Sequence, residues 1–190
     1  MNSPDYKSAA PLIWINGFPG TGKYTIASLL AMLLGEGDNS LINPAEARFP
    51  QDHPNYQQER RRRREAAFRN FVHNRGYRTR FIFFTDFQPN NDVGRDTARE
   101  YEAAALQAGR RFLPIYLECD IQENIRRLTN PPRGSSETTK LMDPEILTDM
   151  RSKCQLFRFD DVEGITSDVT NLSAKDAAGA LARDIIRHLQ

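Results

Sequence analysis

The residues with the clearest chemical potential lie in one glycine-rich stretch near the start of the chain. Its members are Gly17, Phe18, Pro19, Gly20, Thr21, Gly22, Lys23, Tyr24 and Thr25. Glycines let the backbone turn back on itself and approach phosphate oxygens without a Cβ clash. The N–H groups of such a loop, and of a helix that begins there, present partial positive charge to an anion. Lys23 adds a full charge, so the stretch predicts a site for nucleotide phosphates.

The segments on either side of this stretch fit that interpretation. Residues 12–16 form a short apolar run rich in β-formers, and residues 26–34 are typical of a buried helix. A strand, a glycine loop and a helix in this order are the context that a G-x-x-x-x-G-K match requires. The simpler alternative, a glycine-rich turn with an incidental lysine, needs neither neighbour.

The position after the lysine departs from the strict motif. It is usually Ser or Thr, whose hydroxyl holds Mg²⁺, but here it is Tyr24, and Thr25 follows. The Gly-Lys-x-Thr order resembles the adenylate-kinase version of the loop. This resemblance implies that Thr25 contacts the nucleotide phosphates and that Mg²⁺ is held largely through water. Thr25 therefore remains a candidate metal ligand.

The totals predict one soluble domain. The chain has 190 residues, a formal net charge of +1, 39% hydrophobic and 27% charged residues, which suits a globular protein with its own core. The near-zero charge argues against a general role in binding nucleic acids, and no apolar run of about 18 residues predicts a membrane span. Cys119 and Cys154 match no metal or redox spacing. We expect a single domain over residues 1–190, with a loose tail at 1–11, in a cytoplasmic monomer or homodimer.

Strand and helix patterns alternate along the chain. Strands are predicted at residues 12–16, 40–43, 77–85, 111–117 and 165–169. Helices are predicted at residues 26–34, 56–74, 92–108, 121–129, 144–154 and 174–189, the last opened by a capping box at Ser173. Residues 44–55 and 130–140 are expected to be loops. This alternation predicts an α/β fold with a five-stranded parallel sheet and helices on both faces.

Polar residues follow the predicted strands, where ligands of such sheets bind. They are Asn43 and Arg48 after the second strand, Asp86 and Gln88 after the third, and Arg126, Arg127 and Arg133 after the fourth. With the glycine loop, one edge of the sheet would hold a phosphate cradle, carboxylates and arginines. Phosphoryl transfer needs these groups, since its catalysis depends mostly on positioning and charge stabilisation.

In these features the sequence resembles the P-loop small-molecule kinases, a group that includes adenylate, shikimate and gluconate kinases. Residues 13–17, followed by the loop, are also similar to the tunicamycin-resistance protein. The resemblance implies a P-loop NTPase-type three-layer sandwich and transfer of the γ-phosphate of ATP to a small-molecule acceptor, with ATP and Mg²⁺ as cofactors. It also implies an adenine-stacking arginine, matched by Arg127 with Arg126 as competitor, and a lid arginine, matched by Arg133.

Asp86 ends an apolar run and resembles the carboxylate of a Walker B strand. It could hold Mg²⁺ through water or accept a proton from the acceptor hydroxyl, and the simpler alternative is an acid that opens a loop. Lys23, Asp86 and Arg133 are thus the predicted catalytic residues. Asn43, an amide that cannot act as a base at neutral pH, is a candidate for binding the acceptor, as are Arg48 and Gln88. The acceptor itself has no diagnostic pattern.

Residues 60–64 are five consecutive arginines. One interpretation is a patch that binds RNA or phosphate. Consecutive residues of a helix point in all directions around its axis. We therefore favour a solvated helix with one or two arginines that face the acceptor site.

Two other classes of function compete with the kinase. The first is a nucleotide-binding switch or regulatory ATPase without an acceptor, which the small size and the lack of a second domain disfavour. The second is a nucleic-acid-binding module that uses the arginine run, which the net charge disfavours. Acceptor-dependent ADP release would separate the kinase from the first, and salt-sensitive RNA binding would support the second.

Overall fold

The computed structural model describes residues 9–35, 41–42, 55–129 and 143–190. Its strands are β1 Ala9–Gly17, β2 Leu41–Ile42, β3 Ile82–Asp86, β4 Arg110–Glu118 and β5 Ile165–Asp168. Its α-helices are α1 Lys23–Leu34, α2 Tyr56–Ala67, α3 Asp92–Gln107, α4 Ile121–Leu128, α5 Pro144–Lys153 and α6 Ala174–Leu189. A π-helical turn at Phe68–Val72 continues α2, and a 3-10 turn at Arg75–Tyr77 follows it.

The sheet is parallel throughout, in the order β2-β3-β1-β4-β5. Strand β1 lies at the centre, with Asn16 opposite Asp86 of β3 and Gly17 opposite Leu117 of β4. These pairings bring the end of the first strand, the acid after the apolar run and the end of the fourth strand to one edge. The predicted parallel α/β sheet is therefore confirmed.

The second strand is the weakest part of the sheet. Four strands are at least four residues long, whereas β2 contributes two residues that pair with Phe83 and Phe84 of β3. Of the strand predicted at 40–43, Leu41–Ile42 is the part that the structure describes. The body of the sheet thus has four strands, and β2 adds a short edge to it.

Two apolar cores cover the two faces of the sheet. Residues 12–15 of β1 are fully buried, and their side chains alternate between the faces because successive residues of a strand point in opposite directions. Ile13 and Ile15 pack with α1 and α6, whereas Leu12 and Trp14 pack with α3 and the π-helical turn. Helices on both faces complete the predicted three layers, and they explain why β1 lacks polar alternation.

The third strand begins later than the sequence predicts. A strand is expected over 77–85, but β3 begins at Ile82. The side chain of Asn74 caps a 3-10 turn instead. The guanidinium of buried Arg110 then donates hydrogen bonds to the carbonyl oxygens of Tyr77 and Arg80, at 2.7 and 3.0 Å. A turn and a distant arginine therefore satisfy the backbone that the pattern assigns to a strand.

The predicted helices are present with shifted ends. The helix expected over 56–74 is α-helical to Ala67 and then widens into the π-helical turn, which ends where His73 N donates to Phe68 O at 2.9 Å. Ser173 caps α6 as predicted, since its Oγ accepts a hydrogen bond from Asp176 N at 3.1 Å, and this hydroxyl donates to the Asp176 carboxylate at 2.6 Å. Within the described ranges, no helix has the length and apolar character needed to cross a membrane.

Candidate active site

The glycine-rich stretch forms a loop between the last residue of β1, Gly17, and the first residue of α1, Lys23. Gly20 and Gly22 have φ angles of 83° and 93°, a conformation that side chains with a Cβ rarely adopt. Fully buried Thr21 donates from Oγ1 to the carbonyl oxygen of Phe18 at 2.9 Å. The loop is thus shaped by its own contacts, and the first turn of α1 begins directly behind it.

Lys23 lies with its ammonium group against this loop. Its Nζ donates to the carbonyl oxygens of Gly17 and Phe18, at 2.6 and 2.8 Å. Burial lowers the pKa of Lys23 to about 8, and the negative charge of Asp86 opposes that shift. The site therefore combines a partly desolvated cation with the N-terminus of a helix, and both favour an anion.

Asp86 is 4% exposed, and its carboxylate accepts four hydrogen bonds. Oδ1 accepts from Arg60 Nη2 at 3.2 Å and from the backbone N–H of Phe87 at 2.9 Å. Oδ2 accepts from Gln88 Nε2 at 2.6 Å and from the hydroxyl of Tyr101 at 3.1 Å. Both oxygens are therefore engaged, and Arg60 is the charged one among the four donors.

Gln88 belongs to the support of Asp86. Its side chain is turned toward that carboxylate, and the residue is 2% exposed. Its backbone is fixed by buried Asn16, which accepts from Gln88 N at 2.9 Å and donates to Gln88 O at 3.0 Å. In this arrangement Gln88 is a partner of Asp86 and not an exposed contact for a substrate.

A cavity of about 510 Å³ lies beside the loop. Its walls come from the loop and the start of α1, from α4, and from the connection between β5 and α6. Thr21, Gly22 and Thr25 line the first wall, and residues 170–174 line the third. The cavity therefore opens directly onto the predicted phosphate site. It has room for the sugar and base of a nucleotide whose phosphates bind at the loop.

Arg127 joins the three walls of this cavity. Its Nε donates to Glu123 at 2.6 Å, and Nη1 donates to the carbonyl oxygen of Thr21 at 3.4 Å. Its Nη2 donates to the carbonyl oxygens of Val169, Thr170 and Leu172, at 2.6, 3.1 and 3.1 Å. Most of its N–H groups are thus used to hold α4, the loop and the β5–α6 connection together.

Arg126 has a different environment from its neighbour. Its side chain is 67% exposed, whereas that of Arg127 is 14% exposed. Arg126 forms a two-point ion pair with Glu123, at 2.6 and 2.8 Å. The hydrogen bonds from Arg126 and Arg127 lower the pKa of Glu123 to about 2. Glu123 therefore holds the Arg126 guanidinium at the cavity, with much of that side chain accessible.

Two residues far from the loop in sequence, which the sequence did not single out, contact it in the folded protein. Fully buried Asn124 donates from Nδ2 to the carbonyl oxygen of Pro19 at 2.8 Å and accepts from Arg151 Nη1 at 2.9 Å. The Arg151 guanidinium also lies over the ring of Phe18, 4.9 Å from its centroid. Both lie in ordinary helical patterns, so no local signal separates them from surface polar residues.

The arginine run divides into residues with different environments. Arg60 pairs with Asp86, and Arg64, which is 3% exposed, pairs with Glu100 at 2.8 Å. Arg61 and Arg63 pair with acids of their own helix, Glu65 and Glu59, at 3.1 Å in each case. The helix is thus solvated at Arg61 and Arg63 but not at Arg64. That one or two of its arginines face the acceptor site stays a prediction.

Several predicted site residues lie outside the described residues. They are Asn43, Arg48 and Arg133, together with the predicted loop at 130–140. Of the two predicted metal ligands, Thr25 lines the cavity. Asp86 is surrounded by the four groups that donate hydrogen bonds to its carboxylate. The described ranges contain no group of three or more His, Cys, Asp or Glu side chains arranged to hold a metal ion. Tyr24, the residue that departs from the motif, is 50% exposed.

No protein-family model and no curated protein sequence matches this chain. Solved structures match it over nearly its whole length. A gluconokinase from Sinorhizobium meliloti matches with a TM-score of 0.57 and 14% identity, over 97% of this chain and 100% of that one. The tunicamycin resistance protein of Deinococcus radiodurans matches with a TM-score of 0.52 and 16% identity, over 93% and 95%.

A third match is the APS kinase of Mycobacterium tuberculosis, solved in complex with AMPPNP and APS. Its TM-score is 0.57 at 16% identity, over 96% of this chain and 99% of that one. At such identities the likeness concerns the fold alone. The expected resemblance is confirmed at that level: this chain has the fold of the P-loop kinases.

Proposed function

We propose that this protein is a P-loop kinase that transfers the γ-phosphate of ATP to a small-molecule acceptor. The observation that carries the proposal is the position of Lys23. Its ammonium group lies against the glycine loop, is bound by the carbonyl oxygens of Gly17 and Phe18, and interacts with buried Asp86. A cation, a helix N-terminus and a carboxylate at one sheet edge supply phosphate binding and charge stabilisation.

The cavity beside the loop supports a nucleotide as the donor. Its volume of about 510 Å³ falls in the range of small-molecule sites. With the phosphates at the loop, the base would lie between α4 and residues 170–173. The exposed, planar guanidinium of Arg126 suits contact with the base, since guanidinium groups stack on aromatic faces. Arg127 would instead hold the cavity walls together. Sequence spacing matches the stacking role first to Arg127, with Arg126 as the competitor, and here we prefer the competitor.

Mg²⁺ fits a site with few protein ligands. Thr25 would supply a hydroxyl, and Asp86, whose two oxygens already accept four hydrogen bonds, would act on the ion through water, since Mg²⁺ usually keeps several waters and binds substrate phosphates. When bound, the ion would neutralise charge on the phosphates. Arg133 remains a proposed phosphate contact on sequence grounds, as do Asn43 and Arg48 for the acceptor. We also propose that residues 1–190 form one domain.

The experiment that tests the function has two stages. Titration calorimetry with AMPPNP first measures nucleotide binding, and ADP release is then followed across a panel of hydroxylated metabolites. Lys23→Ala should reduce ADP release by about 10²–10³-fold, the usual loss when one transition-state contact is removed. Lys153→Ala is the matched control, since Lys153 is exposed and pairs with Asp149 of its own helix.

The outcomes separate the competing functions. ADP release that appears only with one class of acceptor supports the kinase. Nucleotide binding with ADP release that no acceptor stimulates would favour the regulatory ATPase. Failure to bind AMPPNP, or full activity of a folded Lys23→Ala variant, would exclude the loop as the phosphate site.

A further inference from the structure

We propose that the connection between α2 and β3, residues 68–81, is a binding surface for single-stranded nucleic acid, separate from the nucleotide site. The inference goes beyond the proposed kinase function and does not depend on it. Three observations support it: the division of charge along the chain, exposed arginines that have no acidic partner, and a buried arginine beneath them.

The near-zero net charge of the chain hides a strong separation of charge. Helix α2 and the connection, residues 56–81, contain nine arginines and two glutamates, which is a charge of +7, whereas the whole chain carries +1. All other residues together therefore carry −6. From residue 66 to residue 85 the sequence has no Asp or Glu at all. A net charge near zero thus does not exclude a local surface that attracts polyanions.

The exposed arginines of the connection lack acidic partners. All but one of the arginines in α2, α3 and α4 pair with a carboxylate. Arg69, Arg75 and Arg78 are exposed, and no carboxylate in the described part of the chain lies within ion-pair distance of them. Their guanidinium groups are therefore available to phosphate oxygens, which such groups match in a two-point geometry.

A buried cation lies beneath this surface. Arg110, the first residue of β4, is 3% exposed and pairs with no carboxylate among the described residues. Its guanidinium instead donates hydrogen bonds to four carbonyl oxygens, those of Ala10, Val72, Tyr77 and Arg80. Burial and the neighbouring charge of Arg78 lower the pKa of Arg110. Because a buried charge without an opposite charge is costly, Arg110 strengthens the attraction of this surface for an anion.

The side chains of the connection fit nucleic acid better than a membrane or an acidic protein. Its charged side chains at pH 7 are all arginines, which bind phosphate and stack on bases. The ring of Tyr77 lies between the ring of Phe71 and the guanidinium of Arg80, with centroid distances of 5.3 and 5.2 Å. An acidic peptide would use the charges but not this ring. The exposed large apolar side chains of the described ranges, which could insert into a membrane, lie on other elements.

The surface lies at the opposite edge of the sheet from the phosphate site. Strand β3 begins at Ile82, directly after the connection, and ends at Asp86. Strand β1 runs parallel to it, so Gly17 at its end lies at the edge of Asp86. Near the start of β1, the N–H of Ala10 donates to the carbonyl oxygen of Arg78 at 2.9 Å. Nucleic acid and nucleotide can therefore be bound at the same time.

The test measures fluorescence anisotropy of a labelled single-stranded RNA of about 12 nucleotides, within the usual range of site sizes. With three phosphate contacts, the slope of log affinity against log salt should be about −2, so that affinity falls about 20-fold between about 50 and 200 mM salt. In Arg75→Gln/Arg78→Gln the slope should be about −0.7 and the loss about threefold. Arg183→Gln/Arg187→Gln, which removes two exposed arginines from α6 on the other face of the sheet, should keep the wild-type slope.

Control measurements separate this surface from other causes of binding. Saturating AMPPNP should leave RNA binding unchanged, and the melting temperature of Arg75→Gln/Arg78→Gln should equal that of the wild type, since both side chains are exposed. Equal slopes in the two double variants would show an effect of net charge alone. Competition by AMPPNP would assign the RNA to the glycine loop. Poly-glutamate or phosphatidylserine vesicles that bind as tightly as RNA would assign the surface to another partner. Each of these three results would overturn the proposal.

Discussion

The carboxamide of Asn124 ties helix α4 to the glycine loop by donating a hydrogen bond from Nδ2 to the carbonyl oxygen of Pro19 at 2.8 Å. Its Oδ1 accepts from Arg151 of α5 at 2.9 Å. One fully buried side chain thus connects the loop with the two helices α4 and α5. A buried polar group that satisfies both of its partners specifies their relative position.

Replacing Asn124 should therefore disturb the loop from a distance. Asn124→Ala leaves Pro19 O and Arg151 Nη1 without this partner, and we expect a loss of about 1–3 kcal/mol in the free energy of unfolding. AMPPNP affinity should fall as well, because the loop is no longer held in shape. Denaturant unfolding and calorimetry check both, with exposed Gln122→Ala on the same helix as the control. Unchanged affinity in Asn124→Ala would show that the link is merely structural.

Two glycines of the loop should respond differently to alanine. Gly20 and Gly22 both have positive φ, so alanine is strained at either. A Cβ at Gly20 would lie 2.8 Å from Asn124 Nδ2, whereas the nearest atom at Gly22 is 3.8 Å away. Gly22→Ala should cost about 1–2 kcal/mol, the usual cost of a left-handed residue. Gly20→Ala should cost more, and thermal unfolding of the two variants measures the difference. Equal losses would contradict the close contact with Asn124.

The lowered pKa of Lys23 predicts that the protein takes up protons when a nucleotide binds. Its pKa is lowered to about 8 by burial, and phosphate at the loop stabilises the charged form and raises that pKa again. Near pH 8, binding should therefore take up a fraction of a proton, and affinity should fall as the pH rises through about 8. Calorimetry in buffers of different ionisation enthalpy measures the uptake.

The lysine-to-arginine variant is the control for this effect. Arginine stays charged at every accessible pH, so Lys23→Arg should bind without this proton uptake.

In the protein without ligand, the same lowered pKa should make stability change with pH in the opposite sense to nucleotide affinity. Between pH about 8 and the ordinary value of 10.5, the unfolded chain holds more protons at Lys23. The free energy of unfolding should then rise with pH in that window. A buffer-independent binding enthalpy would contradict the lowered pKa.

Arg126 and Arg127 should separate binding from stability. Arg127→Lys cannot reproduce the fork that holds the carbonyl oxygens of Thr21, Val169, Thr170 and Leu172. We expect a lower melting temperature and weaker AMPPNP binding. Arg126→Lys changes an exposed side chain and should weaken binding about tenfold at most, the effect of losing one stacking contact, with the melting temperature unchanged. Equal melting temperatures in both variants would contradict the assigned roles.

The sequence alone determined the loop and the order of the elements. Gly17 to Lys23 form a local pattern in which strand, turn and helix follow one another, so no distant residue is needed to recognise it. The uninterrupted apolar run of β1 likewise indicates that both faces of this strand are buried. Local patterns work here because glycine conformations, helix caps and apolar periodicity act over a few neighbouring residues.

Tertiary structure decided which side chains serve the site. Asp86 lies where the sequence placed it, but Arg60 and Tyr101, which engage its oxygens, come from helices on either side of it in the chain. Residues 77–81 have the composition of a strand, yet a 3-10 turn and hydrogen bonds from Arg110 satisfy their backbone groups. Adjacent Arg126 and Arg127 look alike in sequence, and packing exposes one and nearly buries the other. Such partners are set by how helices pack across the sheet, and contacts between residues far apart in the chain leave no periodic trace in the sequence.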